Sequence, residues 1–443
     1  MIRKRYILII LFYLIIMNLL QANDSQQSPR TFPVDALQQD FQRFREILEQ
    51  EHCCTYEYTS KAEMDSLFDT HYDLIDHDKT IYEFFQLLAP ITAKIGCMHT
   101  STWLPVRYFR TKPRNMFPLT VKLIDEKLVV LGSYNDSLEV PTGSILLHIN
   151  GTPVDSIIAD LQLITPADAM NPYFIDSQLS HRFSQFYTSM YGLPDGYEVT
   201  YIKPGTSDPT TKNLTPTDDP SVREIVFRHF SNPPLEFEIL EDENSAILTV
   251  YTFAYYTRVE YFQSFMDSCF SKIKEKKIEN LILDLRGNSG GDPFCPTILL
   301  SYLESEPVPY FAERYGKYSD FADPIPLAEN HFTGNLYTLI DGICGSTNGH
   351  FCALLDYNNI GTFIGTPSGA TYKCNAGKNT ELLLPNTQMI ITIGRTTYSA
   401  AVENMDKAEP IIPDILVHET ADDIAVGRDV FMEAALKEIQ KNK

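Results

Sequence analysis

The C-terminal half of the sequence predicts an α/β fold, and three observations carry that expectation. Leu281-Ile282-Leu283-Asp284-Leu285 reads as a buried strand that empties into the polar, triple-glycine turn Arg286-Gly287-Asn288-Ser289-Gly290-Gly291. Apolar strand-length runs then alternate with amphipathic helix-length segments from residue 246 to residue 440, the pattern of a sheet with helices packed on it. Upstream the texture differs: residues 33–96 carry helical periodicity, and short β-prone runs begin at Phe117. The expected architecture is an N-terminal helical bundle, a compact β-rich module and a mixed α/β core.

Residues 1–22 stand outside that fold. Arg3, Lys4 and Arg5 precede an apolar run, Tyr6 to Leu20, interrupted only by Asn18, and Leu20-Gln21-Ala22 is an acceptable cleavage site. This is the pattern of an export signal, which places the mature protein in the periplasm or outside the cell. The run is short for a spanning helix, so membrane association is expected only if the segment stays uncleaved.

The domain at 23–112 is read as helical. Val34, Leu37, Phe41, Phe44 and Leu48 recur at three- and four-residue steps, forming one apolar face. Ser60 with Glu63, and Thr80 with Glu83, fit the capping box ahead of apolar runs. From 113 to 205 the β-rich module includes runs at 119–124 and 127–131, and Gly143–Val154, a strand, an Asn150-Gly151 turn and a second strand. Residues 204–222, rich in Pro, Ser, Thr and Asp, read as a loop or linker into the core at 206–443. In the core the expected order is strand 246–253, helix 257–276, strand 281–285, helix 295–304, strand 336–340, helix 347–356 and strand 362–364. The tail is read as strand 389–393 and a helix at 421–440.

Composition narrows the function. The chain has 443 residues, 44% hydrophobic and 21% charged, ordinary for a globular protein with a sizeable core. Its formal net charge of −22 excludes an extended basic surface for nucleic acid. Eight cysteines in an exported chain permit disulfides but are too sparse for a disulfide scaffold. Cys344, His350, Cys352 and Cys374 lack paired zinc-ligand spacing, so neither a metal nor another cofactor is expected.

Three segments bring side chains suited to nucleophilic chemistry. Ser346 follows strand 336–340 through Asp341-Gly342-Ile343-Cys344-Gly345. A serine there is either a plain N-cap or a nucleophile at a helix N-terminus, where free N–H groups and the positive dipole end stabilise an oxyanion. The Gly-x-Ser-x-Gly elbow is absent, because Cys344 and Asn348 hold the glycine positions. His99, in Gly96-Cys97-Met98-His99-Thr100, is either structural or the general base. His350 is nearer in sequence but, four residues on, points back to Ser346 only in a favourable rotamer. Glu403, or failing that Glu409, is the acid available to orient a histidine.

Together these segments resemble the tail-specific (C-terminal processing) serine peptidases, the group that includes the tricorn core and the interphotoreceptor retinoid-binding protein repeats. Asp284-Leu-Arg-Gly-Asn288-Ser-Gly290-Gly291 matches the family's Asp-Leu-Arg-x-Asn-x-Gly-Gly signature. Gly143–Val154 is similar to the end of its PDZ domain, Gly96–Thr100 to its Asp-x-His-Ser/Thr element, Gly365–Ala370 to the turn after its nucleophile, and Ile412–Val417 to its closing segment. The resemblance implies Ser346 as nucleophile, His99 as base, Glu403 as orienting acid, and Gly290 or Gly291 with the Thr347 N–H as oxyanion donors. It also implies a core of the ClpP/crotonase type and a PDZ-like gate over 113–205 that captures the C-terminus of a peptide or unfolded protein.

The departures matter. Members with a Ser–Lys dyad carry Gly-Lys where this chain has Ala370-Thr371; Lys373 is out of register. That favours the tricorn and retinoid-binding branch, which uses a histidine. Gly349 replaces the glutamate usual three residues after the nucleophile, and Cys97 the residue usual two before the histidine. The expected function is an exported serine endopeptidase; the alternative is an inactive peptide- or ligand-binding protein that keeps the fold.

Overall fold

The computed structural model describes residues 31–105, 115–135, 139–218, 235–372, 377–406 and 408–441. The expected export signal, Lys373 and Cys374 lie outside these residues. Among those described, no helix is long and apolar enough to cross a membrane.

The N-terminal helices are Val34–Glu46, Lys61–Asp73 and Ile81–Lys94. Both anticipated capping boxes form: Ser60 and Thr80 accept from the Glu63 and Glu83 N–H groups, whose carboxylates reach back to the cap N–H groups. The apolar stripe, Leu37, Phe41, Phe44 and Leu48, is buried with Phe68, Phe84 and Phe85. Its last member, Leu48, lies in a π-helical turn, Ile47–Glu51, that continues the first helix.

The next module is built on the order Leu119–Ile124, Lys127–Ser133, Ile145–Ile149, Tyr197–Ile202, Pro209–Leu214, with all neighbours antiparallel. The Asn150-Gly151 turn forms with φ of 49° and 79°, and the short strand Thr152–Pro153 folds back on 145–149; two left-handed residues give the hairpin twist that suits its strands. Two features differ from the sequence reading. A twenty-residue helix, Pro172–Tyr191, packs across this sheet; its aromatic burial mimics the composition of strands. The stretch read as linker contains the edge strand Pro209–Leu214, whose side chains alternate outward as Pro, Thr and Asn, a polarity that an edge tolerates and that resembles a loop.

The core sheet has six strands in the order Leu235–Leu240, Ser245–Val250, Asn280–Asp284, Asn335–Ile340, Thr362–Gly365, Ile415–Leu416. The first pair is antiparallel and the others parallel. Helices cover both faces, which explains why Leu281-Ile282-Leu283 has no polar alternation. Leu281 and Leu283 pack toward helices Val259–Lys276, Phe294–Leu303 and Ser346–Tyr357, while Ile282 packs with Phe431, Ala435 and Ile439 of the C-terminal helix Val430–Lys441. The tail reads as one helix in sequence, but Gly427, at φ 67°, breaks it into Ala421–Val426 and Val430–Lys441.

The strand Ile390–Ile393 is absent from the core sheet. It forms a three-stranded sheet with Thr380–Leu383 and with Ser101–Trp103. Chain that follows Ser346 thereby grips the strand that comes just after His99.

Candidate active site

The site forms where parallel strands end, the usual place for function in an open α/β sheet. Three turns leave neighbouring strands side by side: 285–293, 341–345 and 366–371.

The first turn divides its labour. Asp284 and Arg286 do not enter the site; Arg286 pairs with Asp284 at 2.6 Å and with Asp429 at 2.8 Å. That bidentate bridge fastens the C-terminal helix to the end of the strand. Asn288 is wholly buried, donating to Val250 O at 2.9 Å and accepting from the Gly290 N–H at 2.8 Å. Gly290, expected as an oxyanion donor, therefore spends its N–H inside the turn. Its necessity is steric: φ is 103°, and a Cβ there would lie 2.7 Å from Ser346 Cβ. Gly291 and Thr347 line the cavity instead, and neither N–H has a hydrogen-bond partner among the described residues.

Ser346 opens the helix Ser346–Tyr357 with φ of 52°. A non-glycine residue in the left-handed region is strained, and strain of this kind gathers at functional positions. The two elbow glycines missing from sequence have structural substitutes. Asn348 donates to Asn288 O at 2.9 Å, tying the helix that Ser346 opens to the glycine turn. Cys344 is buried with its thiol on Leu285 O. Gly349 is demanded by Ala370, since a Cβ there would come within 2.1 Å of Ala370 Cβ. Ala370 N–H in turn donates to Cys344 O at 2.8 Å. The Ala370-Thr371 position thus supports the loop before Ser346 from behind, and brings no amine to it.

His99 Nε2 lies 3.1 Å from Ser346 Oγ, across 247 residues of chain. The ring is half-buried, and burial pushes its pKa down to about 4, so it is neutral at physiological pH. His350 lines the same cavity edge-on to Tyr310 and Phe311, with its pKa pushed down to about 3 by burial. Glu403 and Glu409 are exposed, and neither is hydrogen-bonded to His99. The expectation that one of them orients the ring is therefore corrected: the segment bearing them runs along the surface.

Sequence reasoning missed Asp168. It is wholly buried, accepts from the Met98 N–H at 2.9 Å, and belongs with Cys97 and His99 to a cluster whose ligand-type atoms all lie within 4.8 Å of one another. An isolated aspartate after Thr165-Pro166-Ala167 carries no pattern that marks it. Of the four residues that lack zinc spacing in sequence, Cys344 faces Leu285 O, Cys352 faces Asn348 Oδ1 and His350 packs among rings, while Cys374 lies outside the described residues. The seven described cysteines are free thiols.

The cavity in front of Ser346 measures about 750 Å³. Tyr256, Phe311, Tyr315 and Tyr398 wall it, and among the described residues its charged lining consists of Arg314, Lys317 and Lys378. A second groove of about 670 Å³ runs between the edge strand Leu119–Ile124 and the helix Pro172–Tyr191, reaching Asp341 and Gly342 in the loop that leads to Ser346.

Comparison with known proteins places this geometry. Residues 244–417 match the model of peptidase family S41. The fold is similar to that of mature CPAF, with a TM-score of 0.65 and 12% identity over 91% of this chain and 97% of that one. Mature CPAF complexed with lactacystin gives 0.64 and 13% identity, over 92% of this chain and 98% of that one. A candidate peptidase from Parabacteroides merdae gives 0.50 and 15% identity, over 92% and 97%. At such identities the likeness is one of fold. No curated protein sequence matches the chain.

Proposed function

We propose that the chain, whose residues 244–417 match the peptidase family S41 model, is a serine endopeptidase in which Ser346 attacks and His99 is the general base. The single observation that supports this reading most is the 3.1 Å approach of His99 Nε2 to Ser346 Oγ, within the reach a base needs. The neutral ring takes the hydroxyl proton as Oγ adds to the scissile carbonyl, then returns it to the leaving amine. Gly291 and Thr347 N–H groups serve the oxyanion from the glycine turn and the helix N-terminus. Use of a histidine aligns the chain with the tricorn and retinoid-binding branch.

The groove between Leu119–Ile124 and Pro172–Tyr191 supports a PDZ-like role for residues 113–205. An extended peptide adding to that edge strand would be directed to the nucleophile's loop. Residues 1–22 are proposed to export the protein, with a mature N-terminus near residue 23 as the check by terminal sequencing.

A fluorophosphonate probe tests the mechanism. The parent protein is expected to label at Ser346; Ser346→Ala and His99→Ala are expected to lose labelling, and Lys373→Ala to retain it. Equal labelling of Ser346→Ala and the parent would overturn the assignment. A folded parent that neither labels nor cleaves peptides would instead be a binding protein on this fold.

A further inference from the structure

The inference below rests on the Ser346–His99 reading and supplies its missing acid. A neutral imidazole that accepts a proton at Nε2 carries its hydrogen on Nδ1. In this protein His99 Nδ1 is buried and has no hydrogen-bond partner among the described residues. Asp168 has the complementary defect: Oδ1 accepts from the Met98 N–H, while Oδ2 is buried and unpartnered. Buried polar atoms without partners are rare enough in folded proteins that two of opposite character in one cluster call for a common explanation.

We propose that Asp168 is the positioning acid of this site, its Oδ2 taking the Nδ1–H of His99 and so fixing the tautomer that leaves Nε2 free to receive the Ser346 proton. One ring nitrogen of His99 and one carboxylate oxygen of Asp168 lie within 4.8 Å of each other, near enough for side-chain rotation or one bridging water to join the two groups. The base's own loop offers only a thiol, Cys97, and the acid arrives from a different element.

That element is built to hold a group in place. Ala169 and Met170 are consecutive non-glycine residues at φ 51° and 57°, a strain that persists only where surroundings impose it. Ala169 N–H donates to Gly96 O at 3.0 Å, gripping the loop of the base. Asn171 Nδ2 donates to Ser368 O at 2.9 Å and Gly369 O at 3.1 Å, gripping the turn that backs the nucleophile. One strained turn therefore spans both halves of the dyad.

The groups facing His99 are Cys97 on its own loop, Asp168 on the strained turn and His350 on the nucleophile's helix; His52 reaches the loop through Thr100 Oγ1 at 2.7 Å. Burial pushes the Asp168 carboxyl up to about 7. Activity then requires Asp168 ionised, giving an acid limb near pH 7 that His99 alone, depressed to about 4, does not produce.

The test is Asp168→Asn, whose carbonyl still accepts from Met98 N–H while its amide turns a donor toward the ring. Nitrogen-15 spectra of the imidazole are expected to show His99 protonated at Nδ1 in the parent and at Nε2 in the variant. Turnover is expected to fall about 10²–10⁴-fold in kcat with KM nearly unchanged, and the limb near pH 7 to vanish. Asp168→Glu should recover part of the rate, and Glu403→Gln should leave the tautomer as it is. An unchanged tautomer and pH profile in Asp168→Asn would overturn the proposal. An Nε2-protonated ring in the parent at pH 8 overturns it too, whether or not any variant folds. A parent that fails to label at Ser346 refutes the peptidase reading, while the tautomer still decides the role of Asp168.

Discussion

Adding one methyl group at Gly290 should silence the site with only a modest cost in stability. The new Cβ would lie 2.7 Å from Ser346 Cβ and 2.9 Å from both Gly345 O and Thr347 N, where ordinary contact begins at 3.4 Å. Something must move by more than half an ångström. The glycine turn has little room to retreat, because Asn288 is bonded to Val250 O and Gly290 N–H, Asn348 holds Asn288 O, and Phe253 N–H holds Gly290 O at 2.9 Å. Ser346, the proposed nucleophile, is therefore the part that shifts, and a displacement approaching 1 Å costs about 10²-fold in rate. The φ of 103° adds backbone strain of about 1–3 kcal/mol for any side chain. Gly287→Ala is the control: φ is 76°, yet a Cβ there meets nothing within 4 Å. Both variants should lose thermal stability, and Gly290→Ala alone should lose fluorophosphonate labelling by about two orders of magnitude. Near-parental labelling of Gly290→Ala, or equal losses in the two variants, would refute the steric reasoning.

Two further outcomes follow from packing and burial. Gly349→Ala drives a methyl to 2.1 Å from Ala370 Cβ, so it should destabilise by about 1–3 kcal/mol, and adding Ala370→Gly should restore part of the loss in a thermal melt. Glu304, 3% exposed, has its carboxyl pushed up to about 8, chiefly by burial and secondarily by Glu306. The native state then holds a proton that the unfolded chain releases near 4.5, so stability falls as pH rises between those values. Glu304→Gln should match the parent near pH 4 and melt several degrees higher at pH 9; parallel melting curves across that range would contradict this.

What the sequence disclosed depended on whether the signal was local. The strand 280–284, the glycine turn and the capping boxes are written in contiguous residues, and their structure follows from pattern and capping chemistry alone. Ser346 and His99 were legible because each sits in a short recognisable segment, although their 3.1 Å approach is a property of the whole chain. The helix Pro172–Tyr191 was hidden by its aromatics, and the strand Pro209–Leu214 by its polarity. Glu403 and Asp168 reverse for the same reason. A carboxylate's role depends on which surface it meets, and nothing near either residue in sequence encodes exposure for one and complete burial for the other.

The three-stranded sheet that joins Ser101–Trp103 to Thr380–Leu383 and Ile390–Ile393 sets a timetable for assembly of the proposed site. The strand beside His99 acquires its partner only after residue 393 has left the ribosome, long after the helical N-terminal segment can fold. A growing chain therefore carries His99 without Ser346, and even after Ser346 emerges the strand next to His99 lacks its mate. By the same logic the segment 244–417, produced by itself, holds Ser346 but not His99, and should be inert.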